Sequence, residues 1–170
     1  YNTRKIRLRH KNLEIFPCDL NRADDAVSAF TDMDIAFLGA ARVGGAAANE
    51  HHASDLITYN LSLSSRLISL ASQMGLERAA FISSSFVYPA GHQPCSEADG
   101  FSGNPPSYGL GWIKRYLETL CKHYHQTSRT DYAIIRPTAY YGPHDNFNIN
   151  ECHVIPALLM KASNKMDPFE

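Results

Sequence analysis

Hydrophobic and polar positions divide the 170-residue chain into short apolar runs and longer segments with helical spacing. The short runs have the length of buried strands, and helical segments separate them. This alternation predicts right-handed crossovers and a parallel sheet covered on both faces. The predicted strands are residues 12–20, 33–41, 78–85 and 131–137, and the predicted helices are 22–30, 48–74 and one after Tyr108.

Ligands of such sheets bind outside the carboxyl ends of the strands. The predicted strand ends carry small, hydroxyl-bearing or charged residues, which suit a binding site. These ends lie at Asp19, 39–42, 83–85 and 136–138.

Composition narrows the classes of partner. Sixteen basic and seventeen acidic side chains leave a net charge of -1, which gives no reason to expect nucleic-acid or anionic-membrane binding. No apolar run approaches the roughly 18 residues of a membrane helix, so we expect a soluble protein. The four cysteines form no CxxC pair, and Cys121, His123 and His125 alternate along a helix. We therefore expect a reducing, cytoplasmic location and no metal site.

Four stretches together resemble one protein family, the extended short-chain dehydrogenase/reductases of the nucleotide-sugar type. The resemblance covers about residues 13–162 and implies a doubly wound, Rossmann-like parallel sheet. It also implies NADP or NAD as cofactor, a nucleotide-sugar substrate, and a homodimer through helix 48–74 and the helix after Tyr108. The stretches are "GAARVGGAAAN" (39–49), "ISSSFVYP" (82–89), "RPTAYYGPHDNF" (136–147) and "CHVIPALL" (152–159).

The chain lacks the glycine-rich phosphate loop that normally opens a dinucleotide-binding sheet, since neither GxGxxG nor GxxGxxG occurs. We expect residues 1–170 to form a single, partial NAD(P)-binding domain without its first strand and phosphate loop. Residues 143–170 then lead into a substrate lobe, most of which the chain lacks.

The resemblance assigns cofactor contacts to four strand ends and one helix. Arg4, Arg7 and Arg9 favour NADP weakly, because arginines bind a 2′-phosphate, although a basic solvated edge explains them equally well. Strand-end turns with ordinary packing are the alternative for the other residues. The predicted contacts are Asp19, Leu20, Gly39, Ala40, Ala41, Arg42, Ser83, Lys114, Pro137 and Thr138.

The resemblance implies hydride transfer to the C4 carbonyl of a sugar, with Ser84 hydrogen-bonded to that carbonyl. Ser84 is alternatively a residue whose hydroxyl only caps the strand end. Asn60 matches a family asparagine that organises water near the lysine, and its simpler interpretation is a helix-surface residue. A tyrosine protonates the oxygen, and a nearby lysine brings its pKa down from about 10.

Lys114 matches the family lysine, but Leu110 occupies the tyrosine position four residues earlier. Tyr108 precedes the lysine by six residues, which on a continuous helix separates the two side chains by about 240°. Three interpretations follow. Tyr108 reaches the site because the nearby prolines and glycines leave the helix start unwound, the acid is lost, or Lys114 is a solvated helix residue.

Epimerisation in this family uses a cysteine and a histidine. His153 matches the histidine, with a structural histidine as the alternative, whereas Phe86 occupies the cysteine position. Phenylalanine cannot exchange a proton, so we expect reduction without efficient epimerisation unless Cys95 or Cys152 supplies the second group.

Overall fold

The computed structural model contains a three-stranded parallel sheet and four α-helices within its described residues. The helices are α1 (Ala23–Phe30), α2 (Ala53–Gln73), α3 (Leu110–Thr127) and α4 (Val154–Ser163), and the strands are β1 (Ile35–Leu38), β2 (Arg78–Ile82) and β3 (Asp131–Ile135). Two 3₁₀ helices span Ser85–Val87 and Glu97–Phe101. The described residues are 10–42, 53–91, 96–105, 109–138, 140–143, 145–149 and 152–164.

The strands lie in the order β1-β2-β3, and all pair in parallel. Both connections therefore cross the sheet in the same direction, so right-handed crossovers place α2 and α3 on the same face. Side chains of this face form the core with α1, α2 and α3, where Ile68, Phe81 and Leu117 are fully buried. The predicted α/β, Rossmann-like architecture is confirmed.

The prediction of a sheet covered on both faces is wrong for the described residues. On the second face Phe37 is 77% exposed, and Ile35 and Ile135 are also exposed. The strand order explains why these side chains are exposed. Helices cover the second face only when they connect strands that lie on the other side of β1. The described residues contain no such strand.

Residues 12–20 form no strand in the structure, in contrast to the prediction. Their apolar side chains Leu13, Ile15 and Phe16 are exposed. A strand needs a neighbour to satisfy its backbone hydrogen bonds, and no described strand lies beside this segment. The apolar run alone was therefore not sufficient to predict whether residues 12–20 pair with another strand.

The predicted helix 48–74 is observed as α2, and residues 48–52 lie outside the described part of the chain. It ends at Gln73, and Gly75 follows as expected, with a φ of +67°, while the Leu76 amide donates to the Ala71 carbonyl at 3.1 Å. Glycine favours this left-handed conformation.

No helix among the described residues is long and apolar enough to cross a membrane. Within the same residues, His, Cys, Asp and Glu side chains form no group of three that could hold a metal ion.

Candidate active site at the strand ends

The carboxyl ends of β2 and β3 remain paired beyond the strands. The Ser83 amide donates to the Ile135 carbonyl at 2.7 Å, and the Ser85 amide donates to the Pro137 carbonyl at 3.1 Å. The two predicted strand ends, 83–85 and 136–138, therefore lie side by side. Thr138 is exposed at this edge.

Ser84 begins the 3₁₀ helix Ser85–Val87 as its N-cap residue. Its hydroxyl accepts a hydrogen bond from the Phe86 amide at 3.2 Å, so the hydroxyl does cap the backbone after the strand. A hydroxyl that accepts one hydrogen bond still has its proton to donate. The half-buried Ser84 side chain can therefore cap the turn and donate to a ligand carbonyl.

Lys114 is partly buried rather than solvated, so the third interpretation of this residue is wrong. Its Nζ donates to the Ile82 carbonyl at 2.8 Å and lies 4.8 Å from the centroid of the Phe81 ring. Burial lowers the pKa of Lys114, and the negative charge of Glu118 opposes this effect. The helix thus places an ammonium group at the end of β2, two residues before Ser84.

Ser83 points into the protein. Its hydroxyl donates to Oε1 of Glu118 at 2.5 Å, and Ser83 is only 4% exposed. The hydroxyl and the amide of Ser83 thus both have protein partners. Its cofactor contact stays a prediction, and the hydroxyl is not free to make it.

The Glu118 carboxylate is fully buried and also binds Arg136. Nε of Arg136 donates to Oε1 at 2.9 Å, and its second terminal nitrogen donates to Oε2 at 2.6 Å. This bidentate pairing raises the pKa of Arg136. Sequence reasoning placed Arg136 in a predicted strand end but gave neither residue a role in the site. The available signal was an acidic residue inside the apolar face of a predicted helix, four positions after Lys114.

Arg136 extends this network to the segment that follows β2. Its remaining terminal nitrogen donates to the Tyr88 hydroxyl at 3.2 Å and to the Glu97 carbonyl at 2.6 Å. Gly100 packs against the guanidinium so closely that there is no room for a Cβ. The 3₁₀ helix Glu97–Phe101 is thereby held against the strand ends.

A second arginine, the buried Arg115, fixes the same segment through carbonyl groups. Its guanidinium donates to Val87 at 2.8 and 2.6 Å, to Gly103 at 2.7 Å and to Ser102 at 2.7 Å. Burial lowers the pKa of Arg115. The backbone on both sides of residues 88–101 is therefore attached to α3.

Tyr108 lies outside the described residues. Helix α3 begins at Leu110, and Gly109 before it has a φ of +83°, so the continuous helix assumed over residues 108–114 is interrupted at Gly109. A Cβ at Gly109 would also overlap the Ile57 side chain. That Tyr108 reaches the site stays a prediction.

Residues 39–42 follow β1 and meet helix α2 through Asn60. The Arg42 amide donates to Oδ1 of Asn60 at 2.8 Å, and Nδ2 of Asn60 donates to the Arg42 carbonyl at 2.8 Å. The Arg42 guanidinium lies 4.1 Å from the centroid of the Tyr59 ring. Asn60 thus binds both the amide and the carbonyl of Arg42. The simpler interpretation of Asn60, as a helix-surface residue, did not predict these contacts.

Gly39 has ordinary space around it. A Cβ at this position would lie 3.5 Å from the nearest atom, Cγ1 of Ile82, so protein packing does not require glycine here. An open cavity of about 220 Å³ beside β1 is lined by Gly39, Ala40 and Leu20, three of the predicted cofactor contacts.

Asp19 and Leu20 lie near helix α2, the helix that also carries Asn60. The Asp19 carboxylate accepts hydrogen bonds from the backbone and side-chain nitrogens of Asn21, both at 3.0 Å, which lower its pKa. The Asn21 side chain also donates to the Tyr59 hydroxyl at 2.9 Å. Tyr59 therefore connects the predicted contacts at 19–20 with those at 39–42, because its hydroxyl binds Asn21 and its ring lies beside Arg42.

His153 is the N-cap residue of α4, is exposed, and does not cap that helix through its side chain. Cys152 beside it is partly buried, and Phe86 is 47% exposed in the turn after Ser84. Contacts within the described residues connect Ser84, Lys114 and the strand ends, whereas none of them connects His153 to this group. Cys95 lies outside the described residues.

Residues 1–169 match the NAD dependent epimerase/dehydratase family, and the chain belongs to this family. Among curated relatives, GDP-L-fucose synthase from Escherichia coli K12 is 36% identical over 132 residues, which cover 76% of this chain and 41% of the relative. A probable GDP-L-fucose synthase 1 from Oryza sativa is 34% identical over 158 residues, covering 86% of this chain and 48% of the relative. The chain spans less than half the length of these relatives.

A solved structure of a GDP-L-fucose synthetase from Naegleria fowleri, bound to NADP, superimposes with a TM-score of 0.76. It is 24% identical, and the match covers 88% of this chain and 49% of that one. This similarity independently supports the Rossmann-like fold.

The hydrogen bonds around Arg42 lead to a prediction about Asn60. In Asn60→Ala, hydrogen exchange of the Arg42 amide should accelerate about two- to tenfold, because the amide loses a hydrogen bond worth about 0.5–1.5 kcal/mol. Exchange of the β2 amides should not change. Gln73→Ala is the matched control, since the Gln73 side chain is exposed and donates to Ser69 on the same helix. Unchanged exchange at Arg42 in Asn60→Ala would contradict the assignment.

Proposed function

We propose that this chain is the NAD(P)-binding part of a nucleotide-sugar 4-ketoreductase that acts on a 4-keto-6-deoxy nucleoside-diphosphate hexose. The observation that carries the proposal is the Lys114 ammonium, fixed to the Ile82 carbonyl two residues before Ser84. The family and the names of the curated relatives support it.

The described residues suit a dinucleotide at the carboxyl ends of the strands. Residues 39–42 would lie along it with little side-chain bulk, and Asp19 and Leu20 would contact its adenine end. Gly39 supports this placement, because no protein neighbour requires glycine there. Pro137, Thr138 and Lys114 would contact the nicotinamide half. When bound, the reduced cofactor supplies hydride.

We favour NADP over NAD, since a structurally similar GDP-L-fucose synthetase was solved with NADP. Arg4, Arg7 and Arg9, which also favoured NADP, lie outside the described residues. Calorimetry with both cofactors checks this choice, and equal affinities would contradict it.

Ser84 and Lys114 have complementary roles in the proposed reduction. The Ser84 hydroxyl donates to the sugar carbonyl, and the Lys114 ammonium favours the ionised form of a nearby phenol, which lowers its pKa. Tyr108 is the proposed phenol because helix α3 begins only at Leu110. The proton on the new alcohol then comes from Tyr108.

The second candidate function is a catalytically impaired relative that binds cofactor or nucleotide sugar. Leu110 supports it, because this residue stands one helical turn before Lys114, where the family has its tyrosine. The two candidates differ in whether Tyr108 replaces that acid.

We infer that reduction proceeds without efficient epimerisation. Inversion at carbon needs proton removal on one face and delivery on the other, and Phe86 can do neither. His153 is then the single candidate among the matched positions. In deuterated water the product should carry little solvent label at C3 and C5, and rapid labelling at both would contradict this inference.

Activity of the intact protein tests the proposal. With reduced cofactor and a 4-keto-6-deoxy nucleotide sugar, Lys114→Met should lower kcat about a hundredfold or more, the range of a positioned acid-base group. Lys122→Met, on the exposed side of the same helix, is the matched control. Equal kcat values for the two variants would contradict the role of Lys114.

Two further variants separate the two candidate functions. Loss of turnover in Tyr108→Phe, with no gain in Leu110→Tyr, is the result expected if Tyr108 is the acid. A gain of about a hundredfold in Leu110→Tyr would instead identify an impaired enzyme.

We further propose a homodimer through α2 and α3. Trp112 and Tyr116 support it, because they lie one turn apart on α3 and are 52% and 55% exposed. Light scattering at micromolar concentration should give the dimer mass, and Trp112→Lys should shift it toward monomer. A monomer mass for the unaltered protein would remove this proposal.

A cytoplasmic location and a single domain over residues 1–170 remain predictions.

A further inference from the structure

We propose that Glu118 and Arg136 form a positioning pair that fixes Ser84 relative to Lys114. This inference rests on the proposed function, because it assigns a role within the same site. Neither residue was among the sequence-predicted site residues.

The backbone at the end of β2 is held by two side chains of one helix. Lys114 binds the Ile82 carbonyl, and Glu118 binds the Ser83 hydroxyl. Lys114 and Glu118 are four residues apart, so they project from neighbouring positions on the same face of α3. Ser84 is the next residue along the chain, and its position depends on both contacts.

Arg136 connects this arrangement to β3. It directly follows β3, and it contacts both oxygens of the Glu118 carboxylate. Two parallel hydrogen bonds fix the relative orientation of two groups better than one. The carboxylate therefore joins α3, β2 and β3 at the point where the proposed chemistry occurs.

Stability alone does not explain a charged pair at this place. The Glu118 side chain is fully buried and that of Arg136 is 13% exposed, so both charges lose most of their hydration. Well-packed apolar residues are frequently as stable as a buried ion pair. Unlike apolar residues, the ion pair makes directional hydrogen bonds, and this difference points to a role in positioning.

Two readouts distinguish positioning from a purely structural role. The first is kcat per folded molecule, with the KM for cofactor measured alongside. The second is the rate at which Lys114 is acetylated, followed by mass spectrometry, which needs no substrate turnover. Loss of the Glu118 charge and release of the Ile82 carbonyl both make the Lys114 amine more reactive.

In Glu118→Gln, kcat should fall about ten- to hundredfold, because small displacements of reacting groups cost this much, while the KM for cofactor stays within about twofold. Lys114 acetylation should accelerate, because loss of the negative charge of Glu118 lowers the pKa of the Lys114 amine. Arg136→Lys keeps the charge but loses the bidentate contact, so it should also lower kcat. Glu77→Gln, at the exposed opposite end of β2, is the matched control and should match the unaltered protein.

If Glu118→Gln does not fold, Ser83→Ala decides, since it removes only one hydrogen bond and should lower kcat about three- to tenfold. Unaltered kcat per folded molecule and unaltered Lys114 acetylation in the folded variants would overturn the proposal. If the unaltered protein reduces no keto sugar, the proposed function fails separately, and the acetylation rates still test the positioning pair.

Discussion

The buried carboxylate of Glu118 is the constraint on which the strand ends depend. A carboxylate without solvent contact must be compensated by hydrogen-bond donors, and this one has three, from Ser83 and Arg136. The two donor residues belong to the carboxyl ends of different strands, Ser83 to that of β2 and Arg136 to that of β3. Helix α3 therefore has a fixed position over the sheet at the edge where parallel sheets bind ligands.

The position of α3 determines the other polar contacts of the site. Lys114 lies one turn before Glu118 and reaches the Ile82 carbonyl. Arg115 projects to another side of the helix and binds three carbonyls of the segment after β2. The helix thus contributes both the proposed catalytic ammonium and the support for the surrounding backbone. Residues 39–42 are supported separately, by Asn60 on α2.

Much of the fold could be predicted from sequence because its signals are local. The apolar runs gave β1, β2 and β3, and helical spacing gave α1 and most of α2. The same reasoning failed at residues 12–20, since pairing depends on a neighbouring strand rather than on the run itself. It also failed for the second face of the sheet, because coverage follows from strand order, which periodicity does not reveal.

The positions of Ser84 and Lys114 could be identified from family motifs, the first at a strand end and the second on a helix, and their roles stay predictions. The Glu118–Arg136 contact could not be predicted, because it joins residues 18 positions apart through tertiary packing. The direction of the Ser83 hydroxyl depends on that same contact. A charged residue at an apolar helix position is a sequence signal for such pairs, but it does not identify the partner.

A double-mutant cycle on unfolding by urea tests most directly whether Glu118 and Arg136 act as one unit. Glu118→Gln and Arg136→Gln should each lower the free energy of unfolding by about 3–5 kcal/mol, because each leaves a buried charge unpaired. The double variant should cost less than the sum, with a coupling free energy of about 2 kcal/mol or more. Additive effects within about 0.5 kcal/mol would show that the two residues act independently and would contradict this account.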